Sequence, residues 1–211
     1  MLNFILMIFS SYLIGSIPTA IIYGKLTKGM DIREHGSGNA GATNVFRVLG
    51  WKAGLLVLSI DMCKGIVATT VLFRIALGTV ALEPELLQII AGLAAVFGHI
   101  WTIFAGFKGG KGVGTGAGMI LGILPQAVLI AIIVFIITVY FTRYVSLGSI
   151  LGSLTILIYL LIQKYLLLQT VSVSLVIFGI CIPALIIFTH RSNIVRLANG
   201  TENKISFNKA K

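Results

Sequence analysis

Charged side chains are scarce in this sequence, since Asp, Glu, Lys and Arg make up only 10% of its 211 residues. Hydrophobic residues make up 57%, and the mean hydropathy is +1.04. A soluble globular protein carries about 25% charged residues. The composition therefore excludes a water-soluble globule and, with apolar runs of helix length, predicts an all-α integral membrane protein.

Cysteine is also scarce, and neither copy has the spacing of a metal ligand. Cys63 and Cys181 both lie inside apolar runs. These positions argue against a disulfide framework and against a zinc site. We expect both residues to be small packing residues.

The first apolar run lacks a basic segment before it and a small-residue cleavage site after it. This run extends from Leu2 to Gly24 and is long enough to cross a bilayer. We therefore expect a retained membrane helix and not a signal peptide.

The net charge of +10 comes from basic residues in short segments between apolar runs, not from one stripe or tail. This distribution argues against a nucleic-acid partner. Membrane topology and anionic substrates explain it better.

Apolar runs cover residues 2–24, 53–78, 86–107, 115–142, 146–163 and 170–189. The fourth run is long for one span and short for two full ones, and Pro125 lies near its middle. Whether it crosses the membrane once or twice decides which side every later loop faces.

Basic residues resolve this choice, because they concentrate in the cytoplasmic loops of bacterial membrane proteins. Two crossings, hinged near Pro125, leave only Arg74 and Lys164 on the other side, whereas one crossing divides the basic residues eight to seven. With two crossings, thirteen basic residues share one side: Lys25, Lys28, Arg33, Arg47, Lys52, Lys108, Lys111, Arg143, Arg191, Arg196, Lys204, Lys209 and Lys211. We predict seven transmembrane helical segments, two of them short, with the N-terminus outside and the C-terminus in the cytoplasm.

The short connections predict one domain over residues 1–211, without a separate soluble part. Three polar, glycine-rich loops, at 33–50, 106–116 and 189–205, then face the cytoplasm. We expect the chemistry of the protein on these loops.

The first polar segment, residues 35–47, is dense in glycine and in hydrogen-bonding side chains. Its glycines allow positive φ and clusters of N–H donors, and its side chains suit phosphate or carbonyl oxygens. An ordinary flexible turn is the alternative, but turns seldom combine so many such groups beside a membrane. The candidates are Gly36, Ser37, Gly38, Asn39, Gly41, Thr43, Asn44 and Arg47.

The second polar segment, residues 98–118, places two lysines around paired glycines where a helix is expected to begin. The residues concerned are Lys108, Gly109, Gly110, Lys111 and Gly112. Helix N–H groups, the helix dipole and the lysines together predict an anion site. Nucleotide binding is not expected, because Ala105 and Gly112 break the Walker A pattern and no βαβ unit surrounds the glycines.

Part of this glycine richness has a simpler explanation. Glycines recur every four residues from Gly110 to Gly122, which is typical of closely packed membrane helices. Beyond Gly114, packing and ligand binding both stay open. His99, inside the preceding apolar run, is interpreted as a neutral packing histidine, with a functional role as the alternative.

The third polar segment follows the last apolar run. On a continuing helix, His190 and Asn193 would share a face, with Arg196 one turn further on. A basic tail that touches anionic lipid is the alternative. It accounts poorly for His190, Asn193 and Glu202.

One charged pair lies inside the second apolar run. Asp61 and Lys64 are spaced to neutralise each other on one helix face. We interpret them as a structural pair, with a proton relay as the alternative.

Together the three segments resemble the bacterial acyl-phosphate:glycerol-3-phosphate acyltransferase family over essentially the whole chain. The family motifs correspond to residues 36–47, 108–112 and 190–202, with Gly114 where the family has alanine. The resemblance implies a seven-helix bundle in the bacterial inner membrane, with a cytoplasmic-side site. It also implies that the residues needed for activity are Ser37, Arg47, His190, Asn193 and Glu202, and that Asn39 and Lys108, Gly109, Gly110, Lys111 and Gly112 bind substrate.

The implied reaction moves an acyl group from a long-chain acyl phosphate to glycerol 3-phosphate, with membrane lipids as surroundings. It requires an oriented hydroxyl, a stabilised oxyanion and neutralised phosphates, but no metal or cofactor. The His-four-residues-Asp dyad of other glycerolipid acyltransferases is absent, because Ala40, Phe104 and Val195 stand in the fifth position after each histidine. The base is either His190 or the phosphate of the donor.

Two other functions stay open from the residues alone. An organophosphate transporter also has basic loops and hinged helices, but its site should lie near the midplane between repeats, and no repeat is visible. A polyprenyl-phosphate or lipid-phosphate enzyme would share the phosphate-binding residues and differ in its acceptor.

Overall fold

The computed structural model describes residues 1–205, and these residues form helices joined by short loops. Lys209 and Lys211, which the charge count includes, lie outside the described residues. The α-helices are α1 (Leu2–Ser16), α2 (Thr19–Lys28), α3 (Ala42–Leu49), α4 (Trp51–Thr70), α5 (Pro84–Ile100), α6 (Val113–Ile123), α7 (Pro125–Thr142), α8 (Val145–Leu161), α9 (Val173–Thr189) and α10 (Arg191–Ala198). Short 3-10 turns lie at Ile32–Glu34, Leu72–Ala76 and Ile103–Ala105, and a π turn follows α8 at Ile162–Leu166.

Five helical stretches within residues 1–205 are long and apolar enough to cross a bilayer: Leu2–Lys28, Trp51–Ala76, Pro84–Ala105, Pro125–Thr142 and Val145–Leu166. A sixth is present if α9 and α10, bent by 64° to each other, count as one span. Large apolar side chains such as Ile133, Ile136 and Phe141 remain exposed on α7, where lipid would cover them. The prediction of an all-helical, multi-pass membrane protein is confirmed, while seven spans and their orientation stay predictions.

The long fourth run divides at Leu124, as the sequence indicated. Pro125 occupies the first turn of α7, where its missing N–H costs no helical hydrogen bond. Of the two helices in this run only α6 is short, with 11 residues, because α7 continues for 18 residues and is long enough to span on its own. The prediction of two short helices is therefore correct for one of them.

The first run is not a single helix. Proline lacks an N–H and disfavours helical backbone in the residue before it, and the chain accordingly breaks at Ile17 and Pro18, between α1 and α2. Two further expectations need correction. Residues 42–49 of the first predicted loop form α3, and His190 ends one helix at a sharp bend instead of continuing it.

The chain forms two compact units, one from Met1 to Ile123 and one beginning at Leu124. In the first unit, α1 packs on α5, and α4 packs on α3, α5 and α6. In the second unit, α8 packs between α7 and α9. The single domain over 1–211 stays a prediction.

Glycine lets α4 and α6 pack with their backbones in contact. A Cβ at Gly118 would overlap the carbonyl oxygen of Met62, and a Cβ at Gly65 would overlap that of Thr115. Gly122 faces the side-chain hydroxyl of Thr69, which a Cβ at Gly122 would overlap. The four-residue glycine repeat beyond Gly114 therefore serves helix packing.

We expect Gly118→Ala to lower the free energy of unfolding by about 1–3 kcal/mol, because the added methyl group must push α4 and α6 apart. Gly116→Ala is the matched control on the same helix, since nothing lies within 4 Å of its Cβ position. Thermal unfolding of both variants in the same detergent measures the difference. Equal melting temperatures would show that the interface tolerates the methyl group.

Candidate active site

A 3-10 turn, Ile32–Glu34, leads into the first polar segment, and an ion pair holds this turn. Asp31 accepts hydrogen bonds from the backbone N–H of Arg33 at 3.0 Å and from its guanidinium at 2.7 Å. The guanidinium hydrogen bond lowers the pKa of the Asp31 carboxyl to about 2, although burial acts in the opposite direction. Arg33 also donates to the carbonyl oxygen of Ala105 at 3.0 Å, which ties the first polar segment to the second.

The buried side chain of Asn44 forms hydrogen bonds with backbone groups of this loop. Its side chain is 1% exposed, and its Oδ1 accepts the N–H of Ser37 at 2.8 Å. Its Nδ2 donates to the carbonyl oxygens of Ile32 at 2.9 Å and of His35 at 3.0 Å. Gly36 has a φ of 62°, and a Cβ there would overlap the Asn44 amide. One buried amide thus sets the backbone from Ile32 to Ser37.

The other predicted residues of this segment lie at different depths. Ser37 is exposed, whereas Asn39 and Arg47 are half-buried. Arg47 lies on α3, two turns from the loop that Asn44 holds. The loop therefore presents Ser37 outward on a backbone that α3 fixes.

The second polar segment folds back onto the end of α5. The N–H of Gly109 donates to the carbonyl oxygen of Ile100, and the N–H of Gly110 donates to that of His99, both at 3.0 Å. These two predicted backbone donors are therefore used within the protein. Gly112, with a φ of 83°, turns the chain into α6, whose N-terminus follows directly.

The two lysines of this segment differ in exposure. Lys108 is exposed and Lys111 is half-buried. Both lie within the five residues before α6, and the N–H groups and dipole at a helix N-terminus favour an anion. The arrangement can bind a phosphate through side-chain charge and the α6 N-terminus.

A small pocket joins these two segments to the break in the first run. It is lined by Ile17, Pro18, Thr19, Ala40, His99, Thr102, Gly109 and Gly110. Ala40 comes from the first polar segment, and Gly109 and Gly110 come from the second. The first unit thus brings together two of the three polar segments.

The third polar segment lies in the second unit, at the bend between α9 and α10. His190 is buried, and its Nδ1 lies 2.8 Å from the carbonyl oxygen of Ile186. Since a carbonyl oxygen only accepts, Nδ1 donates this hydrogen bond, and whenever the ring is neutral its lone pair is on Nε2.

Glu202 binds the chain after α10 to two helices. Its Oε1 accepts from Asn193 Nδ2 at 2.6 Å and from Ser146 Oγ at 2.9 Å, and its Oε2 accepts from Arg196 Nε at 2.8 Å. Burial would raise the pKa of the Glu202 carboxyl, but these hydrogen bonds hold it below its usual value. The carboxylate orients Asn193 and Arg196 instead of pointing into an open site.

Sequence reasoning missed two residues that hold these segments, Arg33 and Ser146. It named Asn44 as a candidate but missed its anchoring role. Arg33 was counted only as a basic loop residue, and Ser146 begins an apolar run. Their partners lie 72 and 56 residues away in the sequence. No local pattern points to such contacts.

Comparison with known proteins agrees with the motif pattern. Residues 5–200 match the sequence profile of the family described as Glycerol-3-phosphate acyltransferase. Proteins with this description include those of Chlorobaculum tepidum and Chlorobaculum parvum, each 48% identical with 98% of both chains covered. The protein of Chlorobium phaeobacteroides strain BS1 is 46% identical with the same coverage.

Two solved structures share the fold. Both are crystal structures of PlsY (YgiH), described as an integral membrane glycerol 3-phosphate acyltransferase. The glycerol 3-phosphate form has a TM-score of 0.83 and 38% identity, with 96% of both chains covered. The lysophosphatidic acid form has a TM-score of 0.81 and 37% identity, covering 96% of this chain and 95% of that one.

Asn44→Asp tests the anchoring role of Asn44. The variant keeps the acceptor for Ser37 but points a carboxylate oxygen at two carbonyl oxygens. We expect the free energy of unfolding to fall by about 1–3 kcal/mol and hydrogen exchange at residues 35–38 to accelerate. Asn199→Asp, at an exposed position, is the control for the added charge. Unchanged exchange at residues 35–38 would contradict the role.

Proposed function

The chain belongs to the glycerol-3-phosphate acyltransferase family, and we propose that it acylates the 1-hydroxyl of glycerol 3-phosphate with an acyl phosphate donor. It is a membrane-embedded glycerol-3-phosphate acyltransferase, and its product is lysophosphatidic acid. Family membership favours this enzyme over the organophosphate transporter that the basic loops also allowed. The identity of the acyl donor, the roles of individual residues and the side of the membrane that the active site faces are our proposals.

One observation carries the assignment of the site. Ala40 of the first polar segment and Gly109 and Gly110 of the second line the same pocket, beside the start of α6. Lys108 and Lys111 lie next to it in the sequence and supply positive charge. The pocket and the residues that follow it in the sequence thus combine small residues, cations and a helix N-terminus. This combination suits a phosphate monoester.

The substrates bring several negative charges together. Lys108, Lys111 and Arg47 neutralise the phosphates in this scheme. Arg47 is suited to bidentate contact with a phosphate, whereas the lysines act as point charges. The acyl chain of the donor stays among the membrane helices and lipids.

The attack of the hydroxyl on the acyl carbonyl forms an oxyanion. The proposed donor to that oxygen is Ser37 or Asn39 from the first segment, or Asn193 from the third. Asn44 supports the backbone of Ser37, and Glu202 orients Asn193. We therefore assign Glu202 a positioning role rather than direct contact with substrate.

The reaction balances without a cofactor. The 1-hydroxyl oxygen forms the new ester bond, the acyl carbon–phosphate oxygen bond breaks, and phosphate leaves. The hydroxyl proton goes to Nε2 of His190 or to the phosphate of the donor. The Nδ1–H bond to Ile186 supports His190, because it leaves the lone pair on Nε2.

We also propose that the protein lies in the bacterial cytoplasmic membrane, with seven spans, the N-terminus outside and the three polar segments facing the cytoplasm. The charge distribution supports this orientation, because thirteen basic residues then share the cytoplasmic side. Glycerol 3-phosphate would then reach the site directly from the cytoplasm.

The choice of donor is the first test. Purified protein is given glycerol 3-phosphate with either palmitoyl phosphate or palmitoyl-CoA, and release of phosphate and formation of lysophosphatidic acid are measured. We expect product from palmitoyl phosphate alone, and at least about 100-fold lower kcat for Ser37→Ala and Asn193→Ala, since loss of an oxyanion donor costs this much. Product from palmitoyl-CoA alone would overturn the proposed donor. If folded protein binds glycerol 3-phosphate but forms no product from either donor, the transporter hypothesis is restored.

The proton acceptor is tested separately. If Nε2 of His190 is the base, His190→Ala lowers kcat by about 100-fold or more and removes the acid limb of the pH profile of kcat/KM. Thr189→Val is the control, because Thr189 Oγ1 also donates to the Ile186 carbonyl, at 3.0 Å, without being a base. Near-normal turnover of His190→Ala would assign the proton to the donor phosphate.

A further inference from the structure

Two oppositely charged side chains are buried inside a membrane span of the first unit. Asp61 and Lys64 are 2% and 3% exposed, and both lie in the candidate span Trp51–Ala76. Lys64 Nζ donates to Asp61 Oδ1 at 2.5 Å. Charged residues at this depth are costly and usually serve a function.

The pair connects to the break in the first run. Thr19 Oγ1 donates to Asp61 Oδ1 at 3.0 Å, and Lys64 Nζ donates to the carbonyl oxygen of Ile17 at 2.6 Å. Both contacts lie at the proline break between α1 and α2. The pair therefore holds one wall of the pocket.

The same carboxylate faces the opposite wall of the pocket. His99 Nδ1 lies 3.7 Å from Asp61 Oδ1. On its other side, the His99 ring touches Gly110 so closely that a Cβ on Gly110 would overlap Nε2. The backbone of His99 also accepts the N–H of Gly110. Asp61 is thus two contacts away from Gly110, through His99.

Packing alone does not account for this arrangement. Replacing a buried ion pair by apolar residues of similar size is often neutral or stabilising, so stability gives no reason to keep the charges. What an apolar pair could not do is orient the imidazole and bond the backbone at Ile17. The contacts of Asp61 therefore point to positioning of the pocket.

We propose that Asp61, with Lys64 and Thr19, is a positioning residue that fixes His99 and, through it, the loop at Gly109 and Gly110 that binds glycerol 3-phosphate. This inference rests on the proposed function. The network sets the affinity for the phosphate monoester acceptor and leaves binding of the acyl donor unchanged. His99 then has a functional role in place of the packing role that its sequence context indicated.

The test removes both charges together, so that no buried charge is left unpaired. KM values for glycerol 3-phosphate and for palmitoyl phosphate, and kcat, are measured for Asp61→Asn/Lys64→Met. We expect KM for glycerol 3-phosphate to rise about 10- to 100-fold, since a displacement of about 1 Å in a site can cost about 100-fold. KM for palmitoyl phosphate stays at the wild-type value. Thr69→Val is the matched control, because Thr69 is buried on the same helix and donates only within it, to Gly65 and Ile66.

The KM measurements separate this inference from the proposed function. A folded double variant with a wild-type KM for glycerol 3-phosphate overturns the inference, as does an equal rise in both KM values. If the double variant does not fold, His99→Gln is measured in the same way, and a wild-type KM there overturns the inference. Wild-type protein that forms no lysophosphatidic acid would instead refute the proposed function.

Discussion

A polar group inside a bilayer must find its partner within the protein, because no water reaches it there, and this constraint explains how the first unit is built. The break at Pro18 releases carbonyl oxygens that a continuous helix would have bonded. Thr102 Oγ1 donates to the carbonyl oxygen of Ser16, and Lys64 donates to that of Ile17. A lysine in this position then needs a carboxylate, and Asp61 supplies it.

The loops that carry the proposed chemistry follow the same rule. Two of the three are each held by one buried side chain that satisfies several polar groups at once, namely Asn44 in the first segment and Glu202 in the third. Such a side chain fixes a loop more firmly than separate surface contacts, because its removal leaves several groups unsatisfied together. Exposed residues such as Ser37 can therefore be both accessible and well placed.

Much of this architecture could be predicted from local sequence. Long apolar runs locate the membrane helices, and Pro125 locates the division between α6 and α7. The break at Ile17 was missed, because hydropathy does not register a proline within an apolar run. The anchoring contacts of Arg33 and Ser146 were missed for a different reason, since their partners are distant in sequence. Asn44 was recognised as polar, but its three hydrogen bonds turn inward, which its sequence position does not reveal.

The position of the polar segments follows from the two substrates. Glycerol 3-phosphate is soluble and anionic, whereas the acyl donor carries a chain that belongs in lipid, so the acyl transfer must occur where water meets the bilayer. Phosphate-binding groups must then end at the membrane surface, while the elements that hold them extend into it. The chain from Gly110 through His99 to Asp61 fits this requirement, because it connects the loop at the surface to a charge pair buried in a span. In a soluble enzyme, water could solvate the polar groups that support such a loop. Inside a membrane, a charged side chain that supports the loop needs an oppositely charged side chain beside it, as Lys64 has in Asp61.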